Sequence, residues 1–287
     1  MMGETVVDPI GHPASEYSVL MIRVDEGVSL RVMRFQPRGD SFADPLVFVP
    51  GFASSIHGWV GFLREIVPIR PVYYLESREK TSALIERGRL TTDDFSIPRM
   101  VRDLIEACSK LGIDQSRMIV AGSSLGATTL IEALKHSRLR ARGGFMIGPN
   151  TDFKAPWFIK GLLFLPADTY HLIKYFVLWY IENFMVDAVR EPEQMQRYRD
   201  SLLTANPHRL KKTAKSAIGY TIWQDLETVT VPVAVTLSST DKLHAEQNIR
   251  QLTMRLPRAT IIRCESNKYM HSAAMAGDFE RYIAGLA

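Results

Sequence analysis

Gly122-Ser123-Ser124-Leu125-Gly126 is a G-x-S-x-G, the spacing in which a serine hydroxyl can be presented as a nucleophile on a tight strand-to-helix turn. The backbone of such a serine is strained, so the positions two before and two after it must be small. Gly122 and Gly126 meet that requirement for Ser124, whereas Ser123 has Ala121 and Leu125 in the equivalent places. A hydroxyl is a poor nucleophile until a base takes its proton, and the base needs an acid to fix its tautomer and orientation. His271 is expected to be that base and Asp241 that acid. The oxyanion that develops on an attacked carbonyl needs backbone N–H donors. One is expected from Leu125 at the start of the helix, the other from Phe52 just past Pro50-Gly51.

These residues can act together only if the elements between them bring them to one place. Met118-Ile119-Val120-Ala121 is a short apolar run with β-branched members, which favours a buried strand, and 127–135 reads as a helix. Before it, 16–24 and 28–35 read as a hairpin turning at Asp25-Glu26-Gly27. Pro45-Leu46-Val47-Phe48-Val49-Pro50-Gly51 is a continuous apolar run capped by breakers and suits a strand buried on both faces, a helix is expected from about Ile56, and 70–75 is the next strand. A helix over 98–111 carries Met100, Val101, Leu104, Ile105 and Cys108 on one stripe, and 142–148 is a further strand. After a long interruption, strands at about 231–239 and 259–264 alternate with helices at about 245–256 and 272–283. Alternation of this kind implies a mostly parallel α/β sheet, whose ligands gather beyond the carboxyl ends of the strands. Ser124, Asp241 and His271 each follow such an end, in the order Ser, Asp, His.

The composition excludes several classes. A chain of 287 residues, 46% hydrophobic and 23% charged, is long enough for one large domain or a core with an insertion. A net charge of +4 with no Lys/Arg tract gives no basis for nucleic-acid binding. Cys108 and Cys264, far apart, read as reduced, packed thiols. The first residues lack a basic and then apolar pattern, so a cytoplasmic protein is expected. No ligand cluster has zinc-like spacing, and neither a metal nor an organic cofactor is expected.

Val49-Pro50-Gly51-Phe52, Gly122-Ser123-Ser124-Leu125-Gly126, Thr240-Asp241 and His271-Ser272 together resemble the α/β-hydrolase superfamily over nearly the whole chain. Within it the chain is similar to lidded, intracellular, esterase- and lipase-like members. Serine at position 124 sets it apart from the dehalogenase and epoxide hydrolase branches, which use a carboxylate nucleophile. The resemblance implies an eight-stranded, mostly parallel sheet flanked by helices, with a core of residues 1–150 and 227–287 and a helical cap over 151–226. It also implies a triad of Ser124, Asp241 and His271, an oxyanion hole at Phe52 and Leu125, and motif glycines at Gly51, Gly122 and Gly126. Two departures stand out. Pro50-Gly51 replaces the His-Gly of many relatives, and Leu75-Glu76-Ser77-Arg78-Glu79-Lys80 keeps an acid and an arginine of the Asp-x-Arg-Gly-x-Gly-x-Ser stretch but loses its glycines.

The expected substrate is a small acyl compound, cleaved as an ester through an acyl-enzyme. Thioester or amide hydrolysis, acyl transfer, cofactor-free peroxidation and a non-catalytic binding protein on the same fold are the alternatives. His57 reads as a solvent-facing or capping residue and His244 as a helix surface residue. The apolar stretch 172–186 includes Lys174 and Glu182 and is shorter than the roughly 20 residues of a bilayer span. Packing onto the sheet, an acyl-pocket wall, and contact with a membrane surface or a second subunit are its three readings; the oligomeric state is open.

Overall fold

The computed structural model describes residues 7–86, 88, 90–154, 161–166, 169–185, 192–238 and 246–286. Nine strands are found among them: β1 (Ser15–Asp25), β2 (Val28–Pro37), β3 (Leu46–Val49), β4 (Val72–Leu75), β5 (Leu84–Ile85), β6 (Ile119–Ser123), β7 (Gly143–Ile147), β8 (Val233–Ser238) and β9 (Ala259–Cys264). They form one sheet with the path β1-β2-β4-β3-β6-β7-β8-β9, and β5 pairs beside β2. The hairpin β1–β2 and the pair β2–β4 are antiparallel; every later neighbour along the path is parallel. The path has the eight strands, mostly parallel, that were expected. β5 is additional, and at two residues it is too short to carry a hydrophobic period.

Every residue of β3, β6, β7 and β8 is buried, which is why these strands read as continuous apolar runs rather than alternations. Alternation persists in the faces they choose. Val47, Val49 and Val120 pack in one core, whereas Leu46, Phe48, Ile119 and Ala121 pack in the other. The first core is closed by α2 (Ile97–Lys110), α3 (Leu125–Leu134) and, later in the chain, α7 (Glu246–Arg255). The second is closed by α1 (Val60–Ile66), which follows a 3₁₀ turn at Ile56–Trp59, and by α9 (Ala273–Ala284). The result is a sheet with helices on both faces. α2 starts where Ser96 accepts the Arg99 N–H and Pro98 lies in the first turn. Cys108 belongs to the first core and Cys264 to the second; both are free, and burial pushes each thiol pKa up to about 12.

Between β7 and β8 the described helices are α4 (Tyr170–Tyr180), α5 (Pro192–Thr204) and α6 (Pro207–Ala217). α4 runs on into a π-helical turn at Ile181–Met185. Asp152 bridges Thr221 in antiparallel fashion, and Ile222 N–H donates to the Thr151 carbonyl at 3.0 Å. The inserted segment therefore leaves and rejoins the sheet at a narrow neck. Within the expected cap, 155–160, 167–168 and 186–191 lie outside the described residues. No described helix is long and apolar enough to cross a membrane.

Candidate active site

β6 lies between β3 and β7, and Ser124 begins where it stops. The ladder continues one residue past the strand, with Ser124 N–H donating to the Ile147 carbonyl at 2.9 Å. The chain then turns sharply: Ser124 has φ 48° and ψ −118°, a conformation that L residues rarely occupy, and α3 starts at the next residue. The turn is this tight because α3 is driven against the end of β3. A Cβ on Gly126 would run into the Val49 carbonyl oxygen and lie 2.6 Å from that of Pro50; one on Gly122 would lie 2.8 Å from the Val49 oxygen. The glycines are thus needed for close backbone approach, not for a left-handed φ of their own. Ser124 itself is half-buried.

The end of β3 passes directly beside this serine. The Gly51 N–H donates to Ser123 Oγ at 2.9 Å, and a Cβ on Gly51 would sit 3.1 Å from Ser124 Cβ. The chain turns at Gly51-Phe52-Ala53-Ser54, closed by Ser54 N–H to Gly51 O at 3.1 Å, with Ala53 at φ 55°. The N–H groups of Phe52 and Leu125 have no acceptor among the described residues. Leu125 is the first residue of α3, where the helix leaves its donors unpaired and its dipole favours negative charge.

His271 follows β9 through a short helix, α8 (Asn267–Met270), started by Ser266, whose Oγ accepts the Tyr269 N–H. Its Nδ1 is 2.7 Å from the carbonyl oxygen of Gly58. A carbonyl can only accept, so Nδ1 carries the hydrogen, and in the neutral imidazole the lone pair lies on Nε2. The imidazole lies against the Trp59 ring at 4.0 Å between centroids. Gly61 lets the two segments meet, since a Cβ there would fall 2.7 Å from the His271 carbonyl oxygen. The 3₁₀ turn after β3 therefore seats the imidazole only a few residues beyond Phe52. His57, in the same turn, is exposed.

Asp241 and His244 lie outside the described residues; β8, which leads to them, ends at Ser238 on the same edge of the sheet. Two groups that sequence reasoning did not single out take part. One is the Gly58 carbonyl, a backbone group with no signature in a side-chain pattern. The other is Asn150, just beyond β7, whose Nδ2 donates to Ser124 Oγ at 2.8 Å. Its backbone is held on both sides by Thr128 of α3, whose Oγ1 accepts from Asn150 N–H at 3.1 Å and donates to its carbonyl at 2.8 Å. A polar residue right after a central strand was the available signal, since each strand end is a place to look. Among the described residues no three His, Cys, Asp or Glu side chains converge as a metal site would require.

The profile of the family described as serine aminopeptidase, S33, matches residues 86–275, more than half of the chain. No curated protein matches at the sequence level. Among solved structures, an esterase from Exiguobacterium antarcticum is 13% identical with a TM-score of 0.74, covering 94% of this chain and 99% of its own. A hydrolase from Oleispira antarctica is 15% identical with a TM-score of 0.72, covering 93% and 100%. A thermophilic esterase from Thermogutta terrifontis is 14% identical with a TM-score of 0.69, covering 94% and 99%. At these identities the likeness is one of fold, while the profile match places the protein in the serine aminopeptidase S33 family of the α/β-hydrolase superfamily.

Proposed function

We propose that the protein is a serine hydrolase that cleaves a carboxylic ester of a moderately hydrophobic acyl compound through an acyl-enzyme. The observation that carries this reading is the strained Ser124, wedged between the end of β3 and the start of α3, with the Phe52 and Leu125 N–H groups, which have no acceptor among the described residues, in the flanking turns. Esterase relatives of the same fold favour an ester substrate.

In this mechanism the Ser124 hydroxyl attacks the ester carbonyl while its proton passes to Nε2 of His271. The carbonyl oxygen becomes an oxyanion held by the Phe52 and Leu125 N–H groups, each worth about 3 kcal/mol at the transition state. Asn150 Nδ2, on Oγ, fixes the serine rotamer and stabilises charge as the proton leaves. The imidazolium then protonates the departing alcohol. Water, deprotonated by His271, attacks the acyl-enzyme and releases the acid and free Ser124. The segment 151–226 acts as the cap that shapes the acyl pocket.

A fluorophosphonate probe tests the nucleophile: it should label wild type at Ser124 and leave Ser124→Ala unlabelled. Equal labelling of both, or none in folded wild type, would sink the reading. Asp241 is proposed as the orienting acid. Since Gly58 already accepts from Nδ1, Asp241→Asn measures what the carboxylate adds. A fall in kcat of orders of magnitude supports the acid role, and unchanged turnover assigns the tautomer to Gly58 alone. The family description favours one second reading, amide cleavage of an aminoacyl substrate. A panel of p-nitrophenyl esters, acyl-CoAs and aminoacyl amides, compared by kcat/KM, separates the two.

A further inference from the structure

We propose that Lys80 is a positioning residue for the oxyanion-binding peptide: its ammonium holds and polarises the Gly51–Phe52 peptide, and Arg209 of α6 ties that hold to the helical insertion. This rests on the reading that the Phe52 N–H receives the oxyanion.

Lys80 lies in the stretch after β4 that departs from the superfamily pattern. It is buried, and its Nζ donates to the Gly51 carbonyl oxygen at 2.8 Å. That oxygen belongs to the same peptide plane as the Phe52 N–H. In a planar trans peptide the C=O and N–H point in opposite directions, and the described residues include no cis bond. Fixing the oxygen with a charged donor from one side therefore fixes the direction of the hydrogen on the other. The Ser54 N–H, also on this oxygen, adds a second restraint. A cationic donor draws electron density towards the carbonyl oxygen and strengthens the N–H as a donor; such cooperative effects run to about 10–30% per bond. Burial keeps the ammonium's field from being screened by water.

Glu79 Oε1 lies 3.0 Å from Lys80 Nζ, and the Glu79 carboxylate has no hydrogen-bond partner among the described residues. A buried pair of this kind recovers little or none of its desolvation cost. What the lysine does supply is an ammonium donor on one backbone oxygen beside Ser124. Arg209 extends the arrangement: its Nη1 donates to the Lys80 carbonyl at 2.5 Å and to the Ala83 carbonyl at 3.0 Å. α6 is thereby bonded to the backbone from which the Lys80 side chain reaches inward, so a shift of the insertion is passed to the oxyanion turn.

The test compares wild type with Lys80→Met and with the double variant Glu79→Gln/Lys80→Met, which removes both charges and leaves no buried carboxylate stranded. Folding is checked by circular dichroism and thermal melting. Three quantities are then read on an ester substrate: kcat, KM, and the affinity of a trifluoromethyl ketone, whose adduct carries its charge where the oxyanion forms. The expected result for the folded double variant is a loss in kcat of about 10- to 100-fold, below the loss from removing a donor outright, with KM within about 2-fold. Ketone affinity should fall in parallel with kcat. Arg209→Ala should change the same two quantities in the same direction by less. A folded double variant with kcat and ketone affinity within about 2-fold of an active, fluorophosphonate-labelled wild type overturns the role of Lys80 alone. A folded wild type that neither takes the probe nor turns over any ester overturns the serine-hydrolase reading underneath it.

Discussion

The carboxyl edge of the sheet and the helical insertion are built on opposite terms. At the sheet edge, backbone meets backbone: α3 against the Val49 and Pro50 carbonyls, Gly51 against the Ser123 carbonyl, the His271 carbonyl against Gly61. Backbone cannot choose another rotamer, so this arrangement has essentially one solution. In the insertion, α4 and α5 form a small cluster of their own around Leu178 and Met195, and α6 buries Leu210, Thr213 and Ala217. Tyr175, Phe176, Trp179 and Phe184 stay 43–58% exposed, and the last three form a chain of ring contacts, Phe176–Trp179 at 5.8 Å and Trp179–Phe184 at 5.6 Å. The chemistry proposed for Ser124 lies where the fold allows least freedom, and the part proposed to select substrate is the part least constrained by it.

Three substitutions can break or sharpen that contrast. The largest effect is expected from Gly126→Ala, where a methyl group must displace backbone on both sides. A loss above about 3 kcal/mol in urea unfolding is expected, with activity lost alongside. A cost below about 1 kcal/mol would mean that the edge is more pliable than its contacts imply. Ser124→Gly comes next and has the opposite sign for stability. Relieving φ 48° should recover about 1–3 kcal/mol, less roughly 0.5–1 kcal/mol of extra chain entropy in the unfolded state. A net gain of about 1 kcal/mol and a melting temperature raised by about 2 °C are expected in a protein with no turnover. An unchanged or lower melting temperature would remove strain from the description. Trp179→Ala should do least to the fold, under about 1 kcal/mol, because half of the ring is already in water. Its expected signature is instead a change of about 3-fold or more in the kcat/KM ratio between long- and short-chain p-nitrophenyl esters. An unchanged ratio would take this helix out of the acyl pocket.

The same contrast governs what could be read from residue order. The parallel sheet was legible because buried strands are short apolar runs set between helices with visible starts, such as Ser96-Ile97-Pro98 before α2. Ser124 was legible because close packing demands glycine at two positions, and glycine can be seen in a sequence. His271 was singled out by its place after the last strand. The Gly58 carbonyl was not, because every residue has one. Asn150 was passed over because one asparagine among many carries no spacing of its own until Thr128 is seen holding it. The bond from Lys80 to Gly51 joins residues 29 apart and obeys no local period. β5 was too short to show one.

The burial of both cysteines bears on how the insertion can be watched. Each thiol is held in its neutral form at ordinary pH, with its pKa pushed up to about 12, and thiolate is the species that reacts with maleimides and disulfide reagents. The folded protein therefore presents a silent background to such reagents. One cysteine introduced at Tyr175, on the exposed side of α4, would take a single fluorophore or spin label with neither native residue replaced. The movement of the insertion relative to the sheet could then be followed during turnover in otherwise unaltered protein.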